Sequence, residues 1–148
     1  MITLIGMGSG TPESLTAQGL AALQNAGLIL GAKRLLEQLP QGCTEHRKAL
    51  YQPEDVLAAL AADPEVDAAL VYSGDTGFYS GAAKLLPLLR TMGYSVRVLP
   101  GLSSVQLLAA AVGRPWQDWK LVSAHGRACD PVAEVLAHPQ VFFLTGGG

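Results

Sequence analysis

The chain has 148 residues and a mass of 15.4 kDa, with 49% hydrophobic and 15% charged residues. That is material for one substantial domain or two small ones, and it excludes a disordered chain. A net charge of −2, a pI near 5.8 and no run of Lys or Arg longer than two leave no electrostatic footprint for a nucleic-acid backbone.

The apolar stretches fall far short of the roughly 20 residues that span a bilayer. Met1-Ile2-Thr3-Leu4-Ile5-Gly6 has no basic segment and runs directly into a core strand, unlike a signal peptide. Cys43 and Cys129 follow no pairing or metal-binding pattern, which fits reduced thiols and a cytoplasmic location.

Along the chain, short apolar runs alternate with helical periodicity. Residues 2–5 read as a buried strand ending in Gly6-Met7-Gly8-Ser9-Gly10. Thr11-Pro12-Glu13 reads as a helix start, Leu15, Leu20 and Leu23 as its apolar stripe, and Gly27 as its stop. A second strand is expected over 28–30, then a short helix to Leu39, ended by Pro40; 41–50 give no clear pattern. Pro53-Glu54-Asp55 opens a helix to about Ala62, and 68–72 are a strand. A polar loop over 73–80 leads into a helix over 81–92 that contains Pro87. A strand over 95–99, a Pro100-Gly101 turn and a helix over 103–112 follow. Beyond Gly113-Arg114-Pro115 the expectation is a strand over 120–123, a helix over 131–137 and a strand over 141–144.

This alternation predicts an α/β fold with a parallel, Rossmann-like N-terminal sheet covered on both faces. Residues 1–115 form the expected first domain. Residues 116–148 hold too few elements to close a core of their own and are expected to be the start of a second α/β domain that is truncated here. The other arrangement open to them is as an appendage to the first sheet.

Three glycine-bearing loops each follow a predicted parallel strand, where open α/β sheets bind ligands. They are Gly6-Met7-Gly8-Ser9-Gly10, Ser73-Gly74-Asp75-Thr76-Gly77-Phe78-Tyr79-Ser80 and Pro100-Gly101-Leu102-Ser103-Ser104. The first has G-x-G-x-G spacing, and Leu28-Ile29-Leu30-Gly31 lacks the ribose-binding acid, so a dinucleotide fingerprint fails. No Lys follows the glycines as a P-loop requires. A tight strand-to-helix turn is the structural alternative for this loop.

Asp75, between two glycines, has two readings: a carboxylate for a ligand hydroxyl, amine or cation, or a cap on its own loop backbone. Phe78 and Tyr79 wall a pocket or belong to the core. Ser103 and Ser104 present hydroxyls to a ligand or cap a helix. His125-Gly126-Arg127, at another strand end, holds carboxylates or forms a surface loop. His46, His125 and His138 have no metal-ligand spacing, no G-x-S-x-G elbow occurs, and no residue stands out as a nucleophile or general base. The catalytic residues stay unassigned.

On these segments the chain resembles the tetrapyrrole (corrin/porphyrin) methyltransferase family, in particular its precorrin-6Y methylase and cobalt-precorrin-7 C5-methyltransferase branch. The likeness runs from Ile5-Gly6-Met7-Gly8-Ser9-Gly10 and Gly31-Ala32-Lys33-Arg34-Leu35-Leu36 through the Gly74-Asp75 loop and Pro100-Gly101-Leu102-Ser103-Ser104. It continues in Trp116-Gln117-Asp118, His125-Gly126-Arg127 and Leu144-Thr145-Gly146-Gly147.

The resemblance implies a two-domain methyltransferase, usually a homodimer, that binds S-adenosylmethionine between its domains and methylates a precorrin or cobalt-precorrin at C5 in cobalamin biosynthesis. It assigns cofactor contacts to Ser9, Gly74, Asp75, Phe78, Ser103, Ser104, Leu144 and Thr145. Lys33, Arg34, Arg114, His125 and Arg127 are the matching partners for substrate carboxylates. Thr76 stands where the family usually carries a proline, which predicts a looser loop, and the family's C-terminal half is longer. Other acceptors on the same fold, such as uroporphyrinogen, diphthamide or ribosomal RNA, are the near alternatives. A non-catalytic nucleotide-binding module is the distant one.

Overall fold

The structure, a computed structural model, describes residues 1–124 and 130–145. They fall into two compact units, Met1–Ser103 and Ser104–Gly148.

The first unit is built on five parallel strands: β1 (Ile2–Gly6), β2 (Leu28–Gly31), β3 (Arg47–Lys48), β4 (Ala68–Tyr72) and β5 (Val96–Leu99), in the order β3-β2-β4-β1-β5. Its helices are α1 (Ala17–Asn25), α2 (Lys33–Leu36), α3 (Pro53–Ala62) and α4 (Ala82–Thr91). The strands in the middle are apolar at every position because both faces are covered. Ile2, Leu4, Leu28, Leu30, Ala68 and Leu70 point to one face, where Val56 and Leu60 of α3 and Leu85 and Leu89 of α4 meet them. Ile5, Ile29, Ala69 and Val71 point to the other, against Leu23 of α1 and Leu35 and Leu36 of α2.

The chain therefore leaves β1 toward one face and leaves the neighbouring β4 toward the other. A crevice between two adjacent strands whose connections diverge is where α/β sheets place ligands, at the strands' carboxyl ends.

Two local expectations change. Pro12–Ser14 is a single 3-10 turn, and α1 begins only at Ala17, where the Thr16 Oγ1 accepts the Gly19 N–H at 3.0 Å. The hydroxyls between the strand and α1 compete for the backbone: Ser14 Oγ donates toward the Thr11 carbonyl at 2.9 Å, which holds a tight turn instead of a first helical turn. The stretch over 41–50 contains β3, a two-residue edge strand of Arg47 and Lys48 beside β2. A charged pair has no apolar alternation to reveal it, and charge on an edge discourages further strand pairing. The short helix α2 also ends at Leu36, one turn at most, instead of reaching Leu39.

The second unit contains α5 (Ser104–Val112), β6 (Lys120–Ser123), α6 (Pro131–Ala137) and β7 (Val141–Leu144). The strands β6 and β7 pair in parallel, with Leu121 opposite Phe142. Asp130 caps α6 by accepting the Ala133 N–H at 3.2 Å, and Pro131 occupies its first turn. The helix α5 groups with this unit, whereas the sequence boundary after residue 115 leaves it in the first.

Leu4, fully buried in the central strand, tests the account of the core. Leu4→Ala is expected to cost about 2–5 kcal/mol in urea unfolding. A loss below about 1 kcal/mol would mean that the sheet is not packed on both faces as described.

Candidate functional site

At the carboxyl end of the sheet, three loops converge on almost bare backbone. Gly6 ends β1, Gly74 follows β4 and Gly101 follows β5. A Cβ on Gly6 would sit 2.7 Å from both the Gly101 nitrogen and the Gly74 carbonyl oxygen. A Cβ on Gly101 would collide with that same carbonyl and with the Gly6 backbone. Any side chain at either position must push the strands apart, so glycine is required here by space.

Hydrogen bonds then lace the loops together. Gly8 and Gly74, at φ of +63° and +68°, exchange N–H···O bonds of 3.1 and 2.8 Å in an isolated antiparallel bridge. The Met7 N–H donates to the Tyr72 carbonyl at 2.7 Å.

Asp75 joins the third loop. Its Oδ1 accepts the Gly101 N–H at 3.0 Å and its Oδ2 accepts the Gly77 N–H at 3.2 Å. Of the two readings the sequence allows, loop capping is therefore realised, and it reaches across to the loop after β5. Each carboxylate oxygen keeps a second lone pair, so acceptor capacity remains for a ligand.

Thr76 is also tied down: it is buried, and its Oγ1 donates to the Leu99 carbonyl at 3.2 Å. A proline could not make that bond, so the departure from the family pattern fixes the loop to β5 instead of loosening it. Sequence reasoning missed this link, and the only signal for it was a hydroxyl residue in a glycine loop.

Other predicted residues gather at the same end. Ser9 is exposed, its Oγ 3.0 Å from Ser14 Oγ and 3.1 Å from Thr11 Oγ1. Arg34, exposed on α2, places Nη2 3.4 Å from the Ser73 hydroxyl at the start of the β4 loop. That approach follows from the pairing of β2 with β4. Lys33 is exposed beside it in sequence, and Ser103 is buried. Phe78 is half-buried, and its ring meets Tyr79 edge-on with centroids 5.0 Å apart. Tyr79 has φ of +49°, a left-handed backbone that costs a bulky residue about 1–3 kcal/mol.

The second unit holds four further predicted residues. Ser104 opens α5, Arg114 follows that helix and is exposed, and Leu144 and Thr145 close β7. The Leu144 carbonyl accepts the Ala124 N–H at 2.7 Å. His125 and Arg127 lie outside the described residues.

Titratable groups near the loops are few. Burial pushes the Tyr72 phenol, at the end of β4, up to about 12, so it serves as a neutral hydroxyl and not as a base near pH 7. Cys43, elsewhere in the unit, also has its thiol raised by burial, against a smaller opposing pull from Arg47. Among the described residues, no group of three or more His, Cys, Asp or Glu is placed to hold a metal.

The arrangement suits a polar nucleoside ligand. A Cβ on Gly74 would meet nothing nearer than 3.8 Å and one on Gly77 only the Asp75 carboxylate at 3.2 Å, so the loop's backbone is open to close approach. Serine hydroxyls, a carboxylate and main-chain groups form a mixed donor and acceptor set. S-adenosylmethionine, with ribose hydroxyls and an amino-acid tail, matches that set.

Asp75→Ala strands two backbone N–H groups at once. The expected loss is about 1–3 kcal/mol, read as a fall of several degrees in the Tm of the ligand-free protein. An unchanged Tm would show that the carboxylate does not hold the loops together.

Comparison with known proteins gives the chain a context. The family model of the tetrapyrrole (corrin/porphyrin) methylases matches residues 1–147. A cobalt-precorrin-7 C(5)-methyltransferase of Salmonella typhimurium is 31% identical over 145 residues, covering 98% of this chain and 71% of that protein. A probable cobalt-factor III C(17)-methyltransferase of Methanothermobacter thermautotrophicus is 29% identical, over 93% of this chain and 40% of the relative. Among solved structures, a cobalt precorrin-4 methyltransferase superposes with a TM-score of 0.71 at 26% identity, covering 88% of this chain and 60% of its own. With the family's model matched over nearly the whole length and its parallel α/β architecture present, this chain belongs to the tetrapyrrole (corrin/porphyrin) methylase family.

Proposed function

We propose that the chain is an S-adenosylmethionine-dependent C-methyltransferase that methylates C5 of a precorrin or cobalt-precorrin in cobalamin biosynthesis. The observation that carries this reading is the platform of Gly6, Gly74 and Gly101 at the carboxyl ends of β1, β4 and β5, with its hydroxyls and Asp75 beside it. The C5 assignment rests on the Salmonella relative and on the branch-like segments around Lys33-Arg34 and His125-Gly126-Arg127.

When bound, S-adenosylmethionine supplies an electrophilic methyl group on a sulfonium sulfur. The residues assigned to hold it are Ser9, Gly74, Asp75, Phe78 and Ser103 from the first unit and Ser104, Leu144 and Thr145 from the second. The nucleophile is a carbon of the macrocycle, so the chain needs no activated side chain of its own. Its work is proximity, alignment and exclusion of water, and the first of these alone can account for several kcal/mol of a barrier.

The acetate and propionate groups of the macrocycle call for cations. Arg34, beside the Ser73 hydroxyl, is the best positioned among the described residues, with Lys33 next to it and Arg114 in the second unit. Arg127 and the imidazole of His125 complete the assignment. Arg fits carboxylates through its planar fork of donors. Residues 116–148 are read as the beginning of a second α/β domain, and the working enzyme as a cytoplasmic homodimer.

A second reading keeps the cofactor and fold but moves the methyl group to another macrocycle carbon. The 29% identity to a probable C(17)-methyltransferase favours it over non-tetrapyrrole acceptors.

Calorimetric titration with S-adenosylmethionine and with NAD is the first test. Saturable binding of the former alone is expected, and binding of NAD alone would overturn the reading. Incubation with a ¹³C-methyl-labelled cofactor and cobalt-precorrin-7 then locates the new C–C bond by NMR. Label at C5 supports the assignment, and label at another ring carbon supports the second reading.

A further inference from the structure

Tyr79 is the one residue with a side chain that adopts left-handed backbone among the described residues, at φ +49°. Glycine or asparagine would occupy such a position at little cost, whereas a tyrosine persists there only where its surroundings enforce it. Those surroundings are plain. Upstream, Asp75 holds the Gly77 and Gly101 N–H groups, and the Phe78 N–H donates to the Asp75 carbonyl at 3.3 Å. Downstream, the Ser80 Oγ accepts the Ala82 N–H at 3.2 Å where α4 begins.

Between these anchors the ring is turned outward. It is 40% exposed and braced edge-on by Phe78, with the ring planes at 69°. The same loop begins at Ser73, which the Arg34 guanidinium approaches. A braced aromatic ring and a cation on one loop cluster match a planar, conjugated, polycarboxylated ligand: the ring offers a flat apolar face and the cation meets a carboxylate.

We propose that Tyr79 is a specificity-determining residue whose ring forms the face against which the tetrapyrrole macrocycle rests, held there by a strained backbone. The proposal builds on the reading of the chain as a tetrapyrrole methyltransferase. Backbone strain at this position is retained because a glycine would remove the ring.

The test uses the whole 148-residue chain and its Tyr79→Phe, Tyr79→Ala and Tyr79→Gly variants. Uroporphyrin, a planar polycarboxylated porphyrin, is titrated by fluorescence quenching, S-adenosylmethionine by calorimetry, and Tm is measured without ligand. Tyr79→Ala and Tyr79→Gly are expected to weaken porphyrin binding about tenfold, and Tyr79→Phe by no more than about twofold. Cofactor affinity stays at the wild-type value in all three, and Tyr79→Gly melts no lower than wild type because its backbone strain is relieved. Unchanged porphyrin affinity in the Ala and Gly variants overturns the proposal, as does a loss of cofactor affinity in its place. A wild type that binds S-adenosylmethionine but no porphyrin overturns this proposal alone, whereas one that binds no S-adenosylmethionine overturns the functional reading itself.

Discussion

The crowding of three backbones at the carboxyl end of the sheet governs much of the rest of the first unit. Gly6, Gly74 and Gly101 approach so closely that no Cβ fits at the first and last of them without displacing main chain. Parallel strands lie about 4.8 Å apart, and loops leaving them ordinarily diverge. Here they are drawn together instead, by the paired N–H···O bonds of Gly8 with Gly74 and by the Asp75 carboxylate on the Gly101 N–H. What results is a rigid floor of peptide groups with side chains arrayed around its rim. Binding a ligand to such a floor needs little ordering of the protein, which is the usual advantage of a preorganised site.

The central strands make that floor possible. β1 and β4 are buried on both faces, so their ends are fixed by packing in two layers, Leu4 and Leu70 on one side and Ile5 and Val71 on the other. The divergent exits of β1 and β4 open the crevice, and the hydroxyls of Ser14, Thr16 and Thr76 hold the loops in place. Polar side chains thus do structural work around a site whose proposed chemistry asks for no protein nucleophile.

Much of this was legible in the amino-acid sequence because the signals were strong. Unbroken apolar runs such as Leu28-Ile29-Leu30 can only be buried strands between helices, and glycines directly after them mark the binding edge. The family resemblance followed from those same loops. What escaped was governed by short-range polar competition or by tertiary contact. Arg47 and Lys48 form a strand only because β2 leaves an edge to pair with. The helix expected from Pro12 became a 3-10 turn because Ser14 bonds back to the loop. The partners of Asp75 and Thr76 lie 26 and 23 residues away, beyond any local pattern.

The central claim is that ligand binds at the carboxyl ends of β1, β4 and β5. Its competitor is an open polar cleft at the opposite end of the sheet, lined by Thr3, Gln18, Asn25, Asp67 and Arg97. Backbone amide NMR during titration with S-adenosylmethionine separates the two. The account predicts shifts concentrated at the amides of Gly8, Ser9, Gly74, Gly77 and Gly101, with Thr3, Asp67 and Arg97 unmoved. Shifts confined to Thr3, Asp67 and Arg97, with the glycine loops silent, would contradict it.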